Sequence, residues 1–86
     1  MSWKIEWSQN ALRELSKCEY KDAENIIKKL EKAATDPYHH FERLKGYDYC
    51  KLRVGDFRVI VLLIITSKTI VVQNVGHRKN IYKQIR

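Results

Sequence analysis

The chain opens on an alternation. Trp3, Ile5 and Trp7 are separated by Lys4 and Glu6, the period of two expected of a strand with one buried face. Ser8 follows with a side-chain oxygen suited to capping a helix. Ala11, Leu12 and Leu15 then fall at helical spacing, which predicts a short helix ending near Lys17. From about Lys21 to Ala34 the pattern is helical again. Ala23, Ile26, Ile27, Leu30, Ala33 and Ala34 form one stripe, and Lys28, Lys29, Glu31 and Lys32 fall mostly on the other side. Asp36-Pro37 ends this second helix, because the residue before a proline is pushed out of the α region.

Tyr38-His39-His40-Phe41 reads as a connection, followed by Glu42-Arg43-Leu44-Lys45 and a turn around Gly46. Three strands come next: about Tyr49 to Val54, Phe57 to about Ile65, and Thr69 to Val75. Gly55-Asp56 has the composition of a two-residue hairpin turn, and Thr66-Ser67-Lys68 turns the chain once more. Arg78 to Ile85 is left as a short tail. The expected fold is α+β, one domain over residues 1–86: a small antiparallel sheet in the order β-α-α-β-β-β, with a two-helix hairpin on one face and a short C-terminal tail or helix.

The Gly55-Asp56 turn has a consequence for chemistry, since a hairpin loop sets the register of its strands. A two-residue loop places Val54 opposite Phe57, Arg53 opposite Arg58, Leu52 opposite Val59 and Lys51 opposite Ile60, and opposed residues project to the same side. One side then carries Cys50, Leu52, Val54, Phe57, Val59 and Val61 and should receive the helices. The other carries Lys51, Arg53 and Arg58, giving way to Ile60, Leu62 and Ile64. No acidic residue of the hairpin strands faces these three cations. Opposed like charges destabilise a sheet, so the arrangement is either a solvated face or a phosphate-binding patch. The apolar residues beside it call for cover from the chain's own tail or from a partner.

Charge points the same way. Seventeen Lys and Arg against ten Asp and Glu give +7 on 86 residues, a field that favours anionic partners such as nucleic acid. The longest apolar run, Val59 to Ile65, is far short of the ~20 residues of a membrane-spanning helix, so no membrane partner is expected. Met1-Ser2-Trp3-Lys4 has no apolar signal stretch, and the expected location is the cytoplasm. Cys18 and Cys50 are too few for a disulfide framework and read as small, partly buried thiols; a nucleophilic Cys50 beside a histidine is the alternative. His39-His40 has no Cys or carboxylate at familiar metal spacing, so neither a metal nor another cofactor is expected. Trp3 and Trp7 share one strand face and read as core.

Two segments carry a resemblance. Arg43-Leu44-Lys45-Gly46 with Tyr49-Cys50-Lys51-Leu52-Arg53-Val54-Gly55-Asp56-Phe57-Arg58-Val59-Ile60 resembles the central signature of the RelE/ParE toxins. Gly76-His77-Arg78-Lys79-Asn80-Ile81-Tyr82 resembles their C-terminal signature. The resemblance implies the toxin component of a type II toxin–antitoxin system, with a cognate antitoxin protein as partner. In its RelE-like branch it implies a ribosome-dependent endoribonuclease that cuts mRNA in the ribosomal A site and so inhibits translation. Lys51, Arg58, Arg78 and Tyr82 match the positions of that branch's catalytic residues; Lys45, Arg53, His77 and Lys79 are further candidates for contacting RNA or phosphate. One position departs from the pattern: RelE carries a lysine where this chain has Tyr49. The alternatives are a ParE-like poison of DNA gyrase and a non-catalytic RNA- or protein-binding module of the same fold.

The chemistry implied is metal-independent attack of a ribose 2′-hydroxyl on the adjacent phosphorus. It requires a base for the hydroxyl, cations for the phosphorane and an acid for the leaving oxygen. Arg58 and Arg78 would hold the phosphate and Lys51 would serve as base or electrostatic activator. Tyr82 would stack on a nucleobase and relay a proton, or anchor the tail on the sheet. For His77 a catalytic role stands beside a structural one, because strand parity puts it with Val71, Gln73 and Val75 while Gly76 interrupts the strand.

Overall fold

The computed structural model describes residues 2–44 and 49–77. The elements are β1 (Lys4–Trp7), α1 (Gln9–Ser16), α2 (Tyr20–Ala33), α3 (Pro37–His40), β2 (Glu42–Arg43), β3 (Tyr49–Val54), β4 (Phe57–Ile64) and β5 (Thr69–His77). They form one sheet in the order β1-β5-β4-β3-β2. β1 runs parallel to β5 and the other neighbours are antiparallel, so the sheet is mixed rather than wholly antiparallel as the chain order suggests. The expected turn around Gly46 and the C-terminal tail lie outside the described residues.

Ser8 shows why α1 begins where it does. Its Oγ accepts the Ala11 backbone N–H at 3.0 Å, satisfying one of the amides a helix start leaves unpaired. The same hydroxyl donates to the Gln73 carbonyl at 3.1 Å, and the Ser8 N–H donates to the Val72 carbonyl at 3.0 Å. One serine thereby caps a helix and ties it to β5. The tie falls on a bulge: Ile60 pairs with Asn74 and Val61 with Val72, leaving Gln73 without an opposite residue. Glu14 adds a second clamp, its Oε1 accepting the Val75 N–H at 2.9 Å.

α2 matches its apolar stripe within a residue at each end, with Ile26, Leu30 and Ala33 buried. Pro37 does more than end it. It opens the one-turn helix α3, where its missing N–H costs nothing, so 37–40 is helical and not the irregular connection its composition suggests. The hairpin turn has Gly55 at φ +59°, the left-handed region that glycine enters without strain.

The core lies between the helices and one sheet face. Ala11, Ile26, Leu30, Ala33 and Ala34 pack with Leu52, Val54, Val59, Val61, Ile70, Val72 and Val75, with Trp3, Ile5 and Trp7 at its margin. Each large aliphatic side chain buried here contributes about 1.5–3 kcal/mol. The bulge is what brings Val72 and Val75 to the same side, since they sit three residues apart and strict alternation would separate them. On the opposite face a smaller cluster forms: Ile60 is fully buried against Leu44, with Tyr49 packed alongside. The cover that Ile60 demands thus comes from the chain itself, whereas Ile64 stays exposed.

Candidate nucleic-acid interface

The expected register is observed residue for residue: Lys51 opposite Ile60, Leu52 opposite Val59, Arg53 opposite Arg58 and Val54 opposite Phe57. Lys51, Arg53 and Arg58 therefore share the face turned away from the helices, at the centre of the sheet where β3 meets β4. The neighbouring strands complete the surroundings. β5 places Gly76 beside Arg58 and Asn74 beside Ile60. Glycine adds no side chain to that flank of Arg58.

Arg58 is the unusual member. It is only 6% exposed, and its Nε and Nη1 are buried with no hydrogen-bond partner among the described residues. A guanidinium stays charged in proteins, and a buried charge without a partner costs several kcal/mol. Arg53, directly opposite, is exposed and of like charge. A bound anion would meet both needs at once, accepting from the unpaired N–H groups and separating two repelling cations.

Lys51 is held differently. Its Nζ stands 3.9 Å from Oε2 of Glu42, the residue opposite it on β2. The lysine side chain is 25% exposed and the glutamate 76%. Sequence reasoning on the hairpin alone missed this carboxylate, because Glu42 comes from a two-residue edge strand too short to carry a period. Among the described residues of β2, β3 and β4, this part of the face thus holds three cations and one acid.

His77 does not join them. It pairs with Phe57 across β4 and β5 on the helix side, with ring centroids 4.5 Å apart and planes 33° apart. There it borders a cleft of about 360 Å³ with Glu14, Lys17, Cys18, Glu19 and Asp22. The bulge at Gln73 resets the parity of the strand end, which simple counting cannot anticipate. Cys50 also faces the core side, with the thiol pushed up by burial and only partly drawn back by Arg43. Cys18 is likewise raised by burial, then by Asp22 and Glu14. Neither thiol has the lowered pKa of a nucleophile. Lys45, Arg78, Lys79 and Tyr82 lie outside the described residues. Among the described residues no three His, Cys, Asp or Glu are grouped as a metal site, and no helix is long and apolar enough to cross a membrane.

A helix-covered mixed sheet of this kind is also the fold of RelE toxin structures. The fold is similar to that of a chain in the RelBE2 toxin–antitoxin complex from Mycobacterium tuberculosis, at a TM-score of 0.81 and 17% identity over 91% of this chain and 93% of that one. It is also similar to a chain of the intact Escherichia coli RelBE complex, at a TM-score of 0.76 and 25% identity over 88% of this chain and 96% of that one. A protein of E. coli described as RelE-like toxin is 29% identical over 82 residues, covering 92% of this chain and 86% of that one. The chain belongs to the ParE toxin family of type II toxin–antitoxin systems, whose model matches residues 5–82, and its likeness runs to the RelE-like members.

Proposed function

We propose that this toxin is a RelE-like endoribonuclease that cuts mRNA in the ribosomal A site without a metal. The observation that carries the reading is Arg58: a buried guanidinium with two unpaired N–H-bearing nitrogens, on a face shared with Lys51 and Arg53. Such a group is built for an anion that arrives from outside, and its value rises as charge develops at phosphorus. The reaction has the 2′-hydroxyl attack the adjacent phosphorus, leaving a 2′,3′-cyclic phosphate and a 5′-hydroxyl. Arg58 stabilises the phosphorane oxygens, with Arg78 joining it. Lys51 lies beside the attacking hydroxyl as base or electrostatic activator, and Tyr82 stacks and relays a proton. Arg53, Lys45 and Lys79 steer the RNA backbone. His77, on the opposite sheet face, has no contact with the phosphate in this scheme.

Dependence on the ribosome has a physical logic. One short face can hold a phosphate but cannot by itself force a flexible strand into the in-line geometry that attack requires; mRNA already fixed in the A site removes that cost. The partners are thus the ribosome with its mRNA and, as in the RelBE complexes, an antitoxin covering part of the toxin. Primer extension on a defined mRNA with purified protein, with and without programmed ribosomes, tests the reading. Cuts at A-site codons only when ribosomes are present are expected. No cutting in either condition would overturn it, and a gyrase cleavage-complex assay would then decide for the ParE-like poison.

A further inference from the structure

We propose that Tyr49 is a base-stacking residue that extends the phosphate site into a nucleotide site for unpaired RNA; this rests on the RNA reading of the basic face. Tyr49, Lys51 and Arg53 are alternate residues of β3 and so project to one face, with Tyr49 opposite Leu62 and Lys51 opposite Ile60. The ring packs on the Leu44 and Ile60 cluster and is only partly buried. That footing matters, because a ring held against a buried isoleucine loses little freedom when a base stacks on its remaining surface. Lys51 stands about 7 Å along the strand from Tyr49, two residues of rise, the scale of a single nucleotide. Beyond it come Arg53 and Arg58, whose Nε and Nη1 have no hydrogen-bond partner among the described residues.

Cations and an aromatic ring thus run in file along one strand pair: a base on Tyr49, its own phosphate at Lys51, and the next phosphate toward Arg53 and Arg58. Aromatic side chains stack on unpaired bases with little regard to sequence, since every base offers a π-face. A duplex keeps its bases stacked on one another and would present only backbone to this ring. The substrate class that fits is single-stranded RNA with one base free to turn out.

The test compares two probes carrying identical phosphates: a 2′-O-methyl-adenosine hexamer, which cannot be cleaved, and its abasic counterpart. Binding of each to the full chain is measured by fluorescence anisotropy at low salt. The wild type is expected to prefer the base-carrying hexamer by roughly 5- to 150-fold, the range of one stacking contact. Tyr49→Phe should keep that preference and Tyr49→Leu should bind both probes equally. The Tyr49 ring resonances in the wild type should move upfield with the adenosine hexamer and not with the abasic one, which covers the case of a misfolded variant. A preference that survives Tyr49→Leu, equal binding by the wild type, or no binding of either probe overturns the proposal. Base preference through Tyr49 in a protein that cuts no mRNA on ribosomes would sink the nuclease reading alone. Ribosomal cutting with no base preference through Tyr49 would sink the stacking alone.

Discussion

The two faces of the β3–β4 hairpin are drawn from the same two strands in strict alternation and obey opposite rules. Toward the helices, Leu52, Val54, Val59 and Val61 are buried among other apolar side chains. Away from them, Arg53 opposes Arg58, and Arg58 is buried without hydrogen bonds at two of its nitrogens. One face stores folding free energy and the other spends some of it. The contrast sets residues that stabilise the fold against residues that cost it stability, within one pair of strands.

That contrast can be broken or sharpened by measuring unfolding in urea. The largest effect belongs to the closed face: Ile26→Ala, at a fully buried position, should lose about 3–4 kcal/mol by emptying the core. A loss under 1 kcal/mol would mean that the helices are not the main cover. Arg58→Met, which keeps an apolar stem and removes the buried charge, should be neutral or gain about 1–2 kcal/mol. A clear loss would mean that Arg58 is structural and the two faces are not different in kind. Ser8→Ala should cost about 1 kcal/mol, since it removes a cap as well as the bond to the bulge at Gln73; amide exchange at Ala11 should quicken with it. Smallest is Glu42→Gln, which should change stability by at most about 0.5 kcal/mol, as the glutamate is mostly exposed.

What was legible in the sequence was whatever repeats with a short period. The Tyr49–Val54 and Phe57–Ile64 pairing could be read because a two-residue turn and an alternating pattern leave one consistent register. α2 was readable because its stripe spans four turns. What escaped depends on contacts between distant segments. The parallel docking of β1 on β5, the bulge at Gln73 that turns Val75 and His77 toward the helices, and Glu42 reaching Lys51 from β2 leave no local signature. Arg58 was readable as a basic residue on the open face. Its burial was not, because local alternation assigns a residue to a face without saying how deeply that face is covered.

In the proposed reading, Arg58 is held at a cost in stability to receive a phosphate. The direct test is the rate of A-site mRNA cleavage on programmed ribosomes by Arg58→Met, with wild-type and variant confirmed folded in the same preparation. A fall of about 10²- to 10³-fold is expected with the fold intact, the loss that follows removal of one preorganised donor to a developing oxyanion. Cleavage by a folded variant within a few-fold of wild type would contradict it.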